Sequence, residues 1–76
     1  MAERSILKRS VSIRGHRTSI SLEAPFWDAL KDLAEVEHRS VAEMIAEVDA
    51  SRGPGENLSS ALRCHVLAKY RAEAAR

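Results

Sequence analysis

The sequence predicts a small α+β domain, mainly helical, in which an N-terminal β-hairpin is followed by three helices. Two stretches near the start alternate polar and apolar residues with period two, as half-buried strands do. Three later segments repeat apolar residues at helical spacing, and Pro, Gly and capping residues separate them. No repeat, low-complexity tract or linker interrupts the 76 residues, so we expect one domain.

The two predicted strands cover residues 10–14 and residues 17–22, and we expect Gly15-His16 to form the turn between them. In the first strand the apolar face holds Val11 and Ile13. In the second strand the inner side chains are Thr18, Ile20 and Leu22, and the outer side chains are Arg17, Ser19 and Ser21. An isolated hairpin is barely stable in water, so helices must cover its apolar face.

The first predicted helix runs from Phe26 to about Val36, with Pro25 in its first turn. Its apolar stripe is Phe26, Leu30 and Leu33, with Trp27 at the flank. We expect both aromatic side chains to belong to the core.

The second predicted helix begins at Ser40 and ends near Arg52. Ser40 and Glu43 have the spacing of a capping box, in which each side chain accepts a hydrogen bond from the other residue's amide. Behind this cap, the apolar side chains are Val41, Met44, Ile45 and Val48.

Gly53-Pro54-Gly55 predicts a break, after which Asn57 caps a third helix over residues 58–71. Its apolar side chains are Leu58, Ala61, Leu62, Val66 and Tyr70. We expect Cys64 to be a partly buried small residue beside a surface imidazole, His65. The tail, residues 72–76, is expected to fray.

Charge is distributed unevenly along the chain. Residues 1–17 contain one acidic residue, Glu3, and five basic ones: Arg4, Lys8, Arg9, Arg14 and Arg17. We interpret residues 1–9 as a basic arm on a mildly acidic domain, residues 10–71. Such an arm predicts an anionic partner at this end, and a solvated tail is the alternative.

The size of the chain predicts a homodimer. A core built from 76 residues is marginal, and a single cysteine excludes an intrachain disulfide. We expect a lone protomer to leave an apolar face incompletely covered, at Ile20, Leu22, Val41 and Ile45.

Several classes of protein are disfavoured. The first thirty residues lack the apolar region of a secretory signal, and no apolar run approaches the ~20 residues of a membrane span. A single thiol fits a reducing compartment, so we expect a cytoplasmic protein without membrane contact. We find no catalytic motif, cofactor motif or metal-ligand spacing, and therefore expect neither an enzyme nor a cofactor nor a metal site.

The order over residues 16–51 is strand, Pro-started helix, short turn and Ser-capped helix. This order resembles the ribbon-helix-helix family of Arc and MetJ, and Gly-His-Arg-Thr-Ser-Ile-Ser-Leu followed by Pro-Phe-Trp is similar to a bacterial branch of it. The resemblance implies an intertwined dimer in which one strand from each protomer forms a ribbon that lies in the DNA major groove. It implies base contacts from Arg17, Ser19 and Ser21, and a phosphate contact at Ser40 and Val41.

The chain departs from the family pattern in two ways. His38 stands where the family commonly has Gly, two residues before the cap, and His tolerates positive φ better than most residues. The strand at 10–14 and the helix at 58–71 are additions to the minimal form. The added strand could extend the sheet to four strands across the dimer and supply phosphate contacts from Lys8, Arg9 and Arg14, or it could make the ribbon too wide for a groove.

We therefore predict a dimeric DNA-binding transcriptional regulator, of the repressor or antitoxin-like kind, that binds double-stranded DNA. The alternative is a ribbon-helix-helix dimer that binds a protein, such as a toxin, or a small ligand. The sequence pI of about 8.0 slightly favours the alternative, because many DNA-binding domains have a pI above 9.

Overall fold

The computed structural model describes residues 5–76 and confirms the predicted fold class, a β-hairpin followed by three helices. In chain order the elements are β1 (Ile6–Ile13), β2 (His16–Glu23), α1 (Ala24–Val36), α2 (Val41–Ser51) and α3 (Leu58–Ala74).

The strands pair antiparallel, with Ile6 opposite Glu23 and Ile13 opposite His16. Arg14 and Gly15, with φ of 51° and 82°, are therefore the two central residues of the turn. Positive φ at both positions is typical of a type I′ turn, whose twist suits a hairpin. The predicted turn at Gly15-His16 is thus wrong by one residue, because Arg14 adopts a conformation that is uncommon outside glycine.

The first strand begins at Ile6, earlier than the predicted residue 10. Lys8 and Arg9, which the charge distribution assigns to a basic arm over residues 1–9, are therefore strand residues. The start of that arm, residues 1–4, lies outside the described residues. At the other end of the chain, α3 continues to Ala74 and includes part of the tail that was expected to fray.

The helices cover one face of the hairpin, and α3 packs against α1, α2 and β2. The buried core is Ile13, Ile20, Leu22, Trp27, Leu30, Ala34, Met44, Ile45, Val48, Ala61, Leu62 and Val66. Ile20, Leu22 and Ile45 are at most 2% exposed within a single chain. The expectation that a lone protomer leaves these residues uncovered is wrong, because β1 and α3 enlarge the minimal form and bury them. Only Val41 of that set stays half-buried.

The buried face of α1 is Trp27, Leu30 and Ala34, whereas Phe26 and Leu33 are half-buried. Trp27 belongs to the core, as predicted, but the helix is rotated relative to the predicted stripe. The indole Nε1–H of Trp27 donates to the Leu7 carbonyl at 3.0 Å. A buried indole needs such an acceptor, so this bond ties the first turn of α1 to β1.

The expected burial of Cys64 and His65 is reversed. Cys64 is exposed, while His65 is half-buried. Its Nε2 atom is buried and has no hydrogen-bond partner among residues 5–76. Burial lowers the pKa of the imidazole below its ordinary value.

Among the described residues, no helix combines the length and apolar character needed to cross a membrane.

Candidate nucleic-acid interface

The hairpin turns one face toward the helices and the other toward solvent. We call the solvent side the outer face and define it by six side chains: Lys8, Ser10, Ser12, Arg17, Ser19 and Ser21. Across the strands, Lys8 lies opposite Ser21, Ser10 opposite Ser19, and Ser12 opposite Arg17. Five of the six side chains are exposed, and Ser21 is half-buried. The predicted outer set of β2 therefore lies on one solvent-facing surface, beside three residues of β1.

The hydrogen-bonding capacity of the outer face is largely unused within the protein. Arg17 Nη2 donates to Ser10 Oγ at 3.1 Å, a diagonal contact between the strands. Within residues 5–76, the side chains of Lys8, Ser12 and Ser19 have no hydrogen-bond or ion-pair partner. These donors and acceptors are free to bind a polar, anionic ligand.

The hairpin is also strongly basic. From Ile6 to Glu23 it contains four basic residues, Lys8, Arg9, Arg14 and Arg17, and one carboxylate, Glu23, at the end of β2. Arg63 of α3 donates to that carboxylate at 2.9 Å and lowers the pKa of Glu23. The only negative charge of the hairpin is therefore paired with a cation, which limits its repulsion of an anion.

Arg9 lies on the opposite side of β1 from the outer face. Its guanidinium sits over the Trp27 ring, 5.7 Å from the centroid, in cation–π geometry. Arg9, Lys31 and Val41 line a shallow pocket of about 450 Å³ along the β1 edge of the hairpin. Lys8 lines this pocket too, so three cations and the first residue of α2 border the same edge.

The amino end of α2 is closed by the predicted capping box, which is confirmed. The Glu43 amide donates to Ser40 Oγ at 3.0 Å, and the Ser40 amide donates to Glu43 Oε1 at 2.8 Å. The second bond lowers the pKa of Glu43. The hydroxyl and amide of Ser40 are thus already engaged, and the Val41 amide, which has no acceptor within a helix, is the nearest one left for a phosphate.

The turn before this helix has the predicted backbone. His38 has a φ of 56°, a left-handed conformation, at the position where the family pattern commonly has Gly.

The side chain of Arg14 is hydrogen-bonded within the protein, since its Nη2 donates to the Ala46 carbonyl at 3.0 Å. The candidate cations therefore have different surroundings: Arg17 lies on the outer face, Lys8 lies on the outer face and also lines the β1-edge pocket beside Arg9, and Arg14 contacts α2.

Sequence reasoning missed Ser10 and Ser12 as site residues and did not place Lys8 on the same surface as Arg17. The signal was present, because the alternation seen in the first strand continues back through Lys8. It was obscured by Arg9, a charged residue at an inward position.

A sequence model of the ribbon-helix-helix domain matches residues 6–70. Among solved structures, the fold is similar to that of an uncharacterized protein from Bordetella pertussis Tohama I, with a TM-score of 0.81 and 30% sequence identity. That match covers 95% of this chain and 61% of the other, so the chain spans about three-fifths of that protein's length. Among curated proteins the chain has no significant match. Since the family match runs from the first residue of β1 into the last turns of α3, the chain belongs to the ribbon-helix-helix domain family.

Proposed function

We propose that this protein is a DNA-binding transcriptional regulator that places the outer face of its hairpin in the major groove. Ribbon-helix-helix domains are in general DNA-binding modules without catalytic activity. The observation that carries the proposal is the outer face itself, which combines cations with hydroxyls whose hydrogen bonds the protein leaves largely unmade. Such a surface matches the acceptors and donors at base edges.

The side chains of β2 have distinct roles in this proposal. Arg17 donates two hydrogen bonds to O6 and N7 of a guanine, the commonest specific contact in the major groove. Ser19 and Ser21 donate to or accept from neighbouring bases. Arg17 must release Ser10 to do so, and it exchanges one neutral hydroxyl acceptor for a bidentate partner.

In this proposal, residues at the β1 edge of the hairpin supply phosphate contacts. Arg9 and Val41, the first residue of α2, border the same edge, so a DNA backbone that passes there meets both a cation and the amino end of a helix. Arg14 and Ser40 would each have to give up an internal hydrogen bond to bind a phosphate. We therefore expect smaller contributions to DNA affinity from Arg14 and Ser40 than from Arg9.

We propose that the regulator acts as a homodimer, as ribbon-helix-helix proteins typically do, and that it is a bacterial repressor. DNA is held in the cytoplasm of a bacterium, which places its action there. Because the core is closed within one chain, we expect the protomer to remain folded when the dimer dissociates. Sedimentation across nanomolar to micromolar concentrations, followed by circular dichroism, measures both properties.

The decisive experiment defines the binding site first and then removes one contact. Selection of bound duplexes from a random pool identifies the site, and Arg17→Ala is compared with wild type on it. We expect a loss of about 1–3 kcal/mol per contacted half-site and relaxed preference at one base position. Arg71→Ala, which removes an exposed cation of α3, is the matched control. The proposal is wrong if Arg17→Ala keeps full specific affinity, or if no sequence is enriched.

One observation favours the alternative function, a protein-binding module. Val36, Leu67 and Tyr70 are exposed by 74%, 57% and 44% along α1 and α3, and Tyr70 lines one surface depression with Val36 and another with Leu67. A contiguous exposed apolar patch of this kind marks an interaction surface. A second copy or a toxin are the candidate partners there. The alternative replaces the DNA-binding proposal if two results are obtained together. Leu67→Glu would abolish association with the second copy or the toxin, and Arg17→Ala would leave regulation of the target genes unchanged.

A further inference from the structure

The outer face contains a short repeat of residue classes. Lys8, Ser10 and Ser12 on β1 correspond to Arg17, Ser19 and Ser21 on β2, each pair separated by nine positions in the sequence. The inward positions Val11 and Ile13 likewise correspond to Ile20 and Leu22. A sequence search for longer units overlooks this repeat, because it spans only one strand.

The register of the hairpin converts this repeat into symmetry. Ser10 lies directly opposite Ser19, its own counterpart in the repeat. An axis that passes between these two serines, perpendicular to the ribbon, therefore exchanges the strands. The same rotation moves Lys8, opposite Ser21, onto Arg17, opposite Ser12. The outer face of one chain thus has an approximate two-fold axis, with a cation at each of two diagonal corners.

The width of the major groove determines how many strands can read it. Neighbouring strands lie about 4.8 Å apart, and the groove is about 12 Å wide, so it admits a two-stranded ribbon. If a second copy paired with the other edge of β2, four strands would span about 14 Å between the outer backbones alone. Such a sheet is too wide to lie flat in the groove, whereas the hairpin of a single chain fits.

We propose that the hairpin of one chain is a complete reading ribbon, and that Lys8 and Arg17 contact guanines related by its approximate two-fold axis. This inference rests on the proposed DNA-binding function, but it replaces the ribbon built from two protomers and makes Lys8 a specificity-determining residue. The two cations are four residues apart along the ribbon, about 14 Å. With a base-pair rise of about 3.4 Å, they contact bases on opposite strands about four base pairs apart.

The first test compares Lys8→Ala with Arg17→Ala on the duplex selected from the random pool. Each variant should bind roughly 5- to 150-fold more weakly per contacted half-site and lose preference at one base of that half-site, and the two bases should be related by the local two-fold axis. Circular dichroism checks that both variants are folded, and Arg71→Ala again controls for lost charge. If Arg17→Ala relaxes one base while Lys8→Ala behaves like Arg71→Ala, the inference is overturned and DNA binding survives. If no duplex is selected, both the inference and the proposed function fail.

A second test uses the symmetry directly. Arg17→Lys alone should weaken specific binding, since an ammonium lacks the planar fork that matches guanine. Adding Lys8→Arg places arginine at position 8 and lysine at position 17, the reverse of the wild type. The two-fold rotation exchanges these two positions and moves each serine of the outer face onto another serine, so the outer face of the double variant is the wild-type outer face after that rotation. The double variant should therefore regain wild-type affinity for the same duplex, within about two- to threefold. A double variant that binds as weakly as Arg17→Lys would show that the two positions are not equivalent and would overturn the inference.

Discussion

The inner and outer faces of the hairpin alternate residue by residue along the same two strands, yet they are used in opposite ways. On β2 the inner side chains Ile20 and Leu22 are at most 2% exposed and pack against the helices. On the same strand, Ser19, next to Ile20 in the sequence, and Arg17 face solvent. The side chains of the inner face make their contacts within the chain. Most donors and acceptors of the outer face have no partner among the described residues and are available to a ligand.

Because of this difference, neighbouring residues of one strand serve different purposes: the inner one contributes to stability and the outer one is available for recognition. Successive side chains of a strand point to opposite sides, so a register slip would exchange the two functions completely. The type I′ turn at Arg14 and Gly15 therefore matters for the site as well as for the fold, because it sets the register. Variants at adjacent positions test how complete the separation is.

The largest expected effect is at the centre of β2. Ile20→Ala removes a buried side chain and leaves a cavity, so we expect the free energy of unfolding to fall by about 2–5 kcal/mol. Ser19→Ala, the matched neighbour on the outer face, should change it by less than about 0.5 kcal/mol. Urea unfolding monitored by circular dichroism measures both.

Specific DNA binding should show the reverse order at the same two positions, once it is measured under conditions where both variants are folded. Equal losses of stability at Ile20 and Ser19 would mean that the outer face is buried in solution, for instance by a second copy, and the comparison between the faces would no longer hold.

A smaller effect is expected at the amino end of α2. Ser40 is exposed there, like the outer face, but its hydroxyl and amide are already hydrogen-bonded within the protein. Ser40→Ala removes the acceptor of the Glu43 amide and should cost about 1 kcal/mol of stability. Ser40→Asp keeps an acceptor at the cap and should cost less. If instead Ser40→Ala leaves stability unchanged and weakens DNA binding, the hydroxyl belongs to the recognition surface.

Much of this arrangement could be predicted from the sequence, because alternation and capping are local. The parity of Ile20, Leu22, Arg17 and Ser19 follows from period two alone. The capping box at α2 follows from the spacing of two side chains. Whether the outer face binds DNA is a different matter, since alternation shows which way a side chain points and not what it contacts.

The features that were predicted wrongly depend on contacts between distant segments. The start of β1 was missed because Arg9 occupies an inward position, and only its contact with the Trp27 ring explains a cation there. The rotation of α1 follows from the bond between the Trp27 indole and Leu7, 20 residues away. The burial of His65 rather than Cys64 depends on how α3 packs, and a weakly amphipathic helix does not reveal that by its pattern.

The smallest expected effect is a dependence of stability on pH. It arises from His65 of α3, on the helical side of the protein that supports the inner face of the hairpin. Burial lowers the pKa of His65 below its ordinary value of 6.5; Lys69 and Arg39 lower it further, while Glu47 and Glu37 oppose the shift. The unfolded chain therefore takes up this proton first as the pH falls. Stability should decrease as the pH falls below about 6.5 and level off once it is below the pKa of the folded state.

The carboxylates whose pKa is lowered, Glu23, Glu43 and Glu47, have an ordinary value of 4.5, so their stabilising contribution is lost only at lower pH. Urea unfolding between pH 7 and pH 5 thus isolates the imidazole, and His65→Gln should make the profile flat over that range. His16→Gln, at an exposed histidine of the hairpin, is the control and should leave the wild-type slope. If the slope persists in His65→Gln, proton uptake by the half-buried imidazole is not its source, and the pH dependence does not report on the packing of α3.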